Sequence, residues 1–282
     1  MYKSRGQDRL PILGFLGTGG ITSALVRGLC TRAVQTPYPI VVSPRTAETA
    51  ARLSHAFPDR VSVAGTMQEV VDRSDWVILA VLPQAGEEVC RSLAFRPEQR
   101  VASLLCGIPL EQVRDWIGET AALVYLVPSA FHAQVDGPLI LYPPQEEAAE
   151  IFGHLGGIHA VTEERQAMLL QVLTAGTLSF FTLLHLLSQW MKDTGIPAAE
   201  ATSFVTHYCS ALCRQADLCT PEELSRLVEQ TTPGGLNDFV RQQIARGDGC
   251  FAFQGRNRLE EGAGGVLAGR YGYVRLPEGR DL

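Results

Sequence analysis

The chain has 282 residues, 46% of them hydrophobic, which is enough for one large or two medium domains and argues against disorder. Its formal net charge of -6 excludes the broad positive footprint that nucleic acid or an anionic membrane requires as a main partner. A small-molecule ligand is the default that remains.

Residues 1–10 are polar and charged, and the apolar run after them is short and broken by glycine, unlike a secretory signal. A cytoplasmic protein is expected, and the seven scattered cysteines fit reduced thiols better than a disulfide framework. Residues 12–16 read as a strand, and Ile21, Ala24, Leu25, Gly28 and Leu29 repeat at helical spacing. Between them lies Gly17-Thr18-Gly19-Gly20-Ile21-Thr22. Such a turn is either a purely conformational device or the phosphate cradle of a dinucleotide site, and the flanking strand and helix favour the cradle. Gly17 then permits the tight bend, Gly19 admits the pyrophosphate to the backbone, and the small Thr22 takes the third glycine's position in the G-x-G-x-x-G pattern.

Residues 40–42 form the second strand, which ends at Ser43-Pro44-Arg45-Thr46 ahead of a helix at 47–56. An NAD site places an acid at this strand end to bind the ribose 2′-hydroxyl. No acid stands here. Ser43, Arg45 and Thr46 instead offer hydroxyl donors and a cation suited to a 2′-phosphate, so NADPH is the expected cofactor, although a plain solvated arginine has the same appearance in sequence.

Residues 61–63 are a weak third strand, and Thr66-Met67-Gln68-Glu69 is a capping box opening a helix that ends near Arg73. Residues 76–81 are fully apolar, as a parallel strand covered on both faces should be. Helix is expected at 85–95, strand at 101–105, helix at 110–117 and strand at 122–127. Two further strands at 138–142 and 158–161 flank a helix at 146–155. This alternation specifies an α/β fold with a doubly wound parallel sheet over residues 1–162.

From Glu164 the helical period takes over, so residues 163–282 read as an all-α domain with an irregular Gly- and Arg-rich tail after Gly247. Residues 167–191 are apolar almost all round, which means a helix buried on every side. A transmembrane span is the rival reading, but Gln171, His185, Ser188 and Gln189 interrupt the run and no second span follows. A helix buried in a homodimer, or in a higher homo-oligomer built from dimers, is preferred. Further helices are expected at 198–215, 221–230 and 236–246.

At this point the residues resemble the pyrroline-5-carboxylate reductases, which reduce a cyclic imine with a nicotinamide cofactor to complete proline synthesis. The carriers are Gly14-Phe15-Leu16-Gly17-Thr18-Gly19, the run from Ile78 through Val81-Leu82-Pro83 to Gln84, Gly107-Ile108-Pro109-Leu110, and Thr231-Thr232-Pro233-Gly234-Gly235. The last is the most specific. The resemblance implies an N-terminal Rossmann domain, a C-terminal helical dimerisation domain that interlocks with a second subunit, and Val81, Leu82 and Pro83 beside the cofactor. Several positions depart from the family's pattern. Leu82 replaces a lysine, Ser129 an asparagine, Ala130-Phe131 a Thr-Pro pair, Ala175-Gly176-Thr177-Leu178 a serine-glycine-proline-alanine stretch, and Leu236-Asn237 a Thr-Thr pair. A hydroxyl-bearing threonine expected in the helix after Pro197 falls at Tyr208. The cofactor half is kept and the substrate half rewritten.

Hydride transfer needs the acceptor carbon held against the nicotinamide and one proton supplied. Tyr208 and Thr232 are the candidate catalytic hydroxyls, and Ser129, Thr231, Gly234, Gly235 and Asn237 the candidate substrate contacts. A plain loop and a packed tyrosine are the competing readings. His132 beside Ser129 also reaches the strand ends where ligands bind. His207, Cys209, Cys213 and Cys219 lack metal-site spacing, so core cysteines are preferred to zinc. Three functions follow: an NADPH-dependent reductase of a small imine or imino acid, a non-catalytic NADPH-binding regulatory paralogue, and a keto-acid reductase.

Overall fold

The computed structural model of the protein describes residues 9–174, 176–229 and 235. These fall into two compact units, Met1–Ala175 and Gly176–Leu282. The division comes after the first helix of the helical run, rather than before it at 162/163.

In the first unit, β1 (Leu13–Leu16) leads into α1 (Gly20–Arg32), β2 (Ile40–Val42) into α2 (Ala47–Ala56), and β3 (Val61–Val63) into α3 (Met67–Arg73). Next come β4 (Trp76–Leu79), α4 (Pro83–Arg91), β5 (Arg100–Ser103), α5 (Leu110–Ile117) and β6 (Ala122–Val127). A short 3-10 turn (Ala130–Ala133), β7 (Leu139–Tyr142), α6 (Glu146–Gly153), β8 (Ile158–Ala160) and α7 (Glu164–Thr174) complete it. The eight strands lie in the order β3-β2-β1-β4-β5-β6-β7-β8. The first six therefore carry the doubly wound order, in which the direction of strand addition reverses between β1 and β4, and a crevice opens at their carboxyl ends there.

Every strand pair is parallel except β6 with β7. The connection from β6 to β7 holds only the 3-10 turn, too little to make a crossover helix, so the chain turns back antiparallel. Side chains on β4 alternate between two cores: Trp76 and Ile78 face Leu25, Leu29 and Phe152, while Val77 and Leu79 face Val70, Val113 and Trp116. That alternation explains why the strand is apolar without a break.

Local signals account for the helix starts. Thr66 caps α3 by accepting from the Glu69 N–H at 3.0 Å, and the Glu69 carboxylate reaches back one residue further than expected, to the Gly65 N–H at 2.7 Å. Pro83 occupies the first turn of α4, where its missing N–H costs nothing, so α4 begins before residue 85, and β4 ends at Leu79 rather than 81. Glu164 accepts from the Leu110 N–H at 2.6 Å and so joins the start of α7 to that of α5.

The continuous helix expected at 167–191 is two helices, since α7 ends at Thr174 and α8 (Thr177–Asp193) starts after an N-cap at Gly176. Glycine weakens a helix interior, and the Thr174 hydroxyl turns back onto the Gln171 carbonyl at 2.7 Å. Taken together, Glu164–Asp193 is long and apolar enough to cross a membrane by length and composition, with a mean hydropathy of 1.7. The second unit also holds α9 (Ala198–Asp217), which packs on α8, and α10 (Pro221–Glu229). Thr220 and Glu223 form a reciprocal capping box at the start of α10. No residue of α8 is buried, contrary to the expectation for such an apolar helix, and Leu178, Phe180 and Phe181 are all exposed within one chain. The fourth helix, expected at 236–246, lies outside the described residues.

Candidate active site

The turn from β1 into α1 is built by buried hydrogen bonds. Gly17 has φ +97°, in the left-handed region, and a β-carbon there would run into the Ala80 carbonyl that follows β4. Only glycine meets both demands. The Thr22 hydroxyl, fully buried, donates to the Gly17 carbonyl at 2.6 Å, so the residue in the third glycine's position locks the turn as well as packing closely.

Gly19 and Gly20 differ from Gly17, because a β-carbon on either would meet no protein atom within 4 Å. The fold itself places no demand for glycine there. Gly19 is the extended N-cap of α1, no side chain caps the helix, and its first turn carries no acid. The bare backbone with its positive helix end is therefore open to an anion, which is the arrangement a pyrophosphate needs.

The end of β2 corrects the role of Ser43. Its side chain is fully buried, its hydroxyl accepts from the Gly17 N–H at 2.9 Å, and Thr18 donates to the Ser43 carbonyl at 2.6 Å. Since the single Thr18 proton goes to that carbonyl, the 3.1 Å contact between the two hydroxyls has Ser43 as donor. Ser43 thus braces the glycine turn from behind and does not face a 2′-phosphate. Arg45 and Thr46 do face outward. Among the described residues Arg45 makes no ion pair or hydrogen bond, and the Thr46 hydroxyl caps nothing.

These elements border one cleft of about 780 Å³, within the range of small-molecule sites. Gly17, Thr18, Gly19, Gly20, Ile21, Arg45, Thr46, Val81 and Leu82 all line it, together with Leu104, Cys106, Pro128 and Gln171. Leu82, 74% exposed, is the N-cap of α4, with Pro83 behind it in the first helical turn. A smaller hollow of about 210 Å³ sits at the amino ends of the strands, where the Arg60 guanidinium donates to the carbonyls of Leu29, Cys30 and Ala33. Ligands of this fold bind at the opposite, carboxyl ends.

Ser129 and His132 are structural. The Ser129 hydroxyl caps the 3-10 turn, and the Ser129 N–H donates to His132 Nδ1 at 2.9 Å. Since Nδ1 accepts, the other ring nitrogen, Nε2, is the donor to the Gly137 carbonyl at 3.1 Å, and the side chain is fully buried. A loop histidine with both nitrogens engaged cannot reach a ligand. The turn docks on α1 where Gly28 leaves room for the His132 carbonyl.

Two residues that the sequence hid bear on the cleft, Cys106 in its lining and Tyr125 behind Gln171. Tyr125 is fully buried on β6, donates its hydroxyl proton to Gln171 Oε1 at 2.6 Å and accepts from the Gly107 N–H at 3.4 Å. Burial chiefly pushes its pKa up, the nearby Cys106 and Glu164 adding to the shift. In the sequence Tyr125 is one more apolar-strand residue, and the only hint is that a buried tyrosine hydroxyl requires a partner. Cys106 is exposed in the cleft, unlike Cys90, whose burial raises its thiol to about 12.

In the second unit, Tyr208 is 57% exposed on α9, its ring stacked on Phe204 with centroids 6.0 Å apart. Thr231, Thr232, Gly234 and Asn237 lie outside the described residues, and Gly235 is described only as a bend. Among the described residues no group of three or more His, Cys, Asp and Glu side chains is placed to hold a metal ion.

Residues 12–107 match the family model described as NADP oxidoreductase, coenzyme F420-dependent. The chain is 27% identical over 241 residues to a pyrroline-5-carboxylate reductase of Pseudomonas aeruginosa, covering 81% of this chain and 86% of the relative. Its fold is that of the pyrroline-5-carboxylate reductase structure from Streptococcus pyogenes, with a TM-score of 0.73 at 20% identity over 90% of this chain and 99% of the other. The Plasmodium falciparum pyrroline carboxylate reductase with NADP bound aligns with a TM-score of 0.71 at 14% identity, over 92% of this chain and 97% of that one. With a Rossmann sheet of this strand order, a helical second unit and sequence similarity along most of its length, the chain is similar to the pyrroline-5-carboxylate reductases in sequence and has their fold.

Proposed function

We propose that the protein is a cytoplasmic, homodimeric NADPH-dependent reductase of the C=N bond in a small cyclic imine or imino acid, pyrroline-5-carboxylate or a relative of it. The observation that carries the reading is the uncapped Gly19-Gly20 start of α1, bare toward the cleft, beside a β2 end whose outward side chains include Arg45 and no acid. The residues present fit the cofactor: the α1 N-terminus takes the pyrophosphate, Arg45 and Thr46 the 2′-phosphate, and Val81 and Leu82 flank the path beyond. NADPH supplies the hydride when bound.

The chain's own part is to hold the imine, exclude water and deliver one proton. The cleft wall past β4 and β5 is apolar at Leu82 and Leu104, which favours a desolvated reaction centre. Tyr208 is the candidate proton donor, with Thr232 as the second hydroxyl. Backbone N–H groups at Gly234 and Gly235, with Thr231 and Asn237, suit a substrate carboxylate. The exposed apolar face of α8, with Phe180 and Phe181, supports a second copy as its cover.

The test is a panel of ring imines and keto acids followed by loss of NADPH absorbance. Turnover of a ring imine with NADPH supports the reading. Reduction confined to keto acids would replace the C=N assignment. Tight NADPH binding with no turnover across the panel would favour a non-catalytic, regulatory protein.

A further inference from the structure

The cleft holds a polar device that the cofactor turn does not use. Besides the cofactor turn and Arg45, the lining includes Leu82 after β4, Leu104 after β5, and Leu126 and Val127 at the end of β6, and α7 contributes Gln171 and Thr174. The Thr174 hydroxyl is turned onto the Gln171 carbonyl. Gln171 is therefore the side chain on that wall that offers strong N–H donors.

Its orientation is set from beneath. The Tyr125 hydroxyl already accepts from the Gly107 N–H, so its own proton must find an acceptor, and Gln171 Oε1 takes it at 2.6 Å. That fixes which end of the carboxamide points down. Oε1 is held against Tyr125, while Nε2 has no hydrogen-bond partner among the described residues and belongs to a side chain that lines the cleft. A phenol is protonated through the neutral range, and burial pushes the Tyr125 value further up, so the amide does not lose its anchor there.

We propose that Gln171 is a specificity-determining residue that donates from Nε2 to the carboxamide carbonyl of the nicotinamide ring, and that Tyr125 is the positioning residue that holds it ready. A dihydronicotinamide is a flat, largely apolar ring whose one polar substituent is that carboxamide. An apolar wall bearing one pre-aimed donor is complementary to it. The inference rests on the cofactor reading given under Proposed function.

The experiment titrates the full-length protein with NADPH and, separately, with adenosine 2′,5′-bisphosphate, which carries the 2′-phosphate and lacks the nicotinamide. Gln171→Leu should weaken NADPH about three- to tenfold, the effect of one neutral hydrogen bond, and leave the bisphosphate unchanged. Gln171→Asn, polar but too short, should behave in the same way. Tyr125→Phe should weaken NADPH alone, and in the Gln171→Leu background it should add nothing, since its effect passes through the amide. Thermal melts confirm that each variant is folded. If Gln171→Leu shifts both ligands equally or neither, or if Tyr125→Phe acts at full strength without Gln171, the inference is overturned while NADPH binding stands. A wild-type protein that binds no NADPH overturns the cofactor reading and this inference with it.

Discussion

Ser43→Ala separates bracing the cofactor turn from reading the cofactor. In the native fold the Ser43 hydroxyl accepts from the Gly17 N–H at 2.9 Å and donates to Thr18 Oγ1 at 3.1 Å, and both Ser43 and Thr18 are buried. Alanine leaves the Gly17 N–H with no acceptor in a place water does not reach. An orphaned buried amide costs about 1–3 kcal/mol. At about 2–4 °C per kcal/mol for a unit of this size, the melting temperature should fall by roughly 2–12 °C. The same loosening acts on ligand binding, since the turn must be re-formed before the pyrophosphate docks, and an upper bound equal to the stability loss gives about five- to a hundredfold weaker binding. NADPH and NADH share the pyrophosphate, so both should weaken by the same factor. Thermal denaturation and fluorescence titration of the two cofactors measure these quantities side by side. An unchanged melting temperature with a loss confined to NADPH would refute the reasoning and return Ser43 to the 2′-phosphate.

Arg45→Ala is the complement: it should leave the melting temperature in place and weaken NADPH about ten- to a hundredfold while NADH barely changes, as competitive titration would record. Tyr208→Phe should lower turnover by roughly 10²–10⁴-fold if the hydroxyl gives the proton, and steady-state kinetics on a substrate found in the imine panel will decide. Phe181→Glu, on the exposed face of α8, should convert a dimer seen by light scattering into a monomer, whereas a monomeric wild-type protein would remove the basis for the dimer. Burial is the first cause that raises the phenol pKa values of Tyr125 and Tyr38, so the folded state holds those protons more tightly than the unfolded chain. Their contribution to stability is complete below the ordinary tyrosine value of about 10 and is lost as pH rises through the higher folded values; urea melts across that window should show midpoints falling with pH.

The order of elements through β8 was legible in the chain because each rests on local physics. Alternating strand and helix periods, the Thr66–Glu69 capping pattern and Gly17 between strand and helix act over a few residues, whatever the rest of the molecule does. The helical run after Glu164 was legible as helix, but its division at residues 174–177 and the placing of α7 with the Rossmann unit were not, since packing decides them. The site divides in the same way. Gly17, Gly19 and Arg45, which line the cleft, stand out by residue type, whereas the internal hydrogen bonds of Ser43, Ser129 and His132 became visible only once their partners were known. Ser43 and Gly17 are 26 residues apart, and Tyr125 and Gln171 are 46 apart. Sequence shows which residues carry a donor or an acceptor. Which donors are used up inside the protein, and which remain facing the cleft, is a property of long-range contacts that only the folded chain creates.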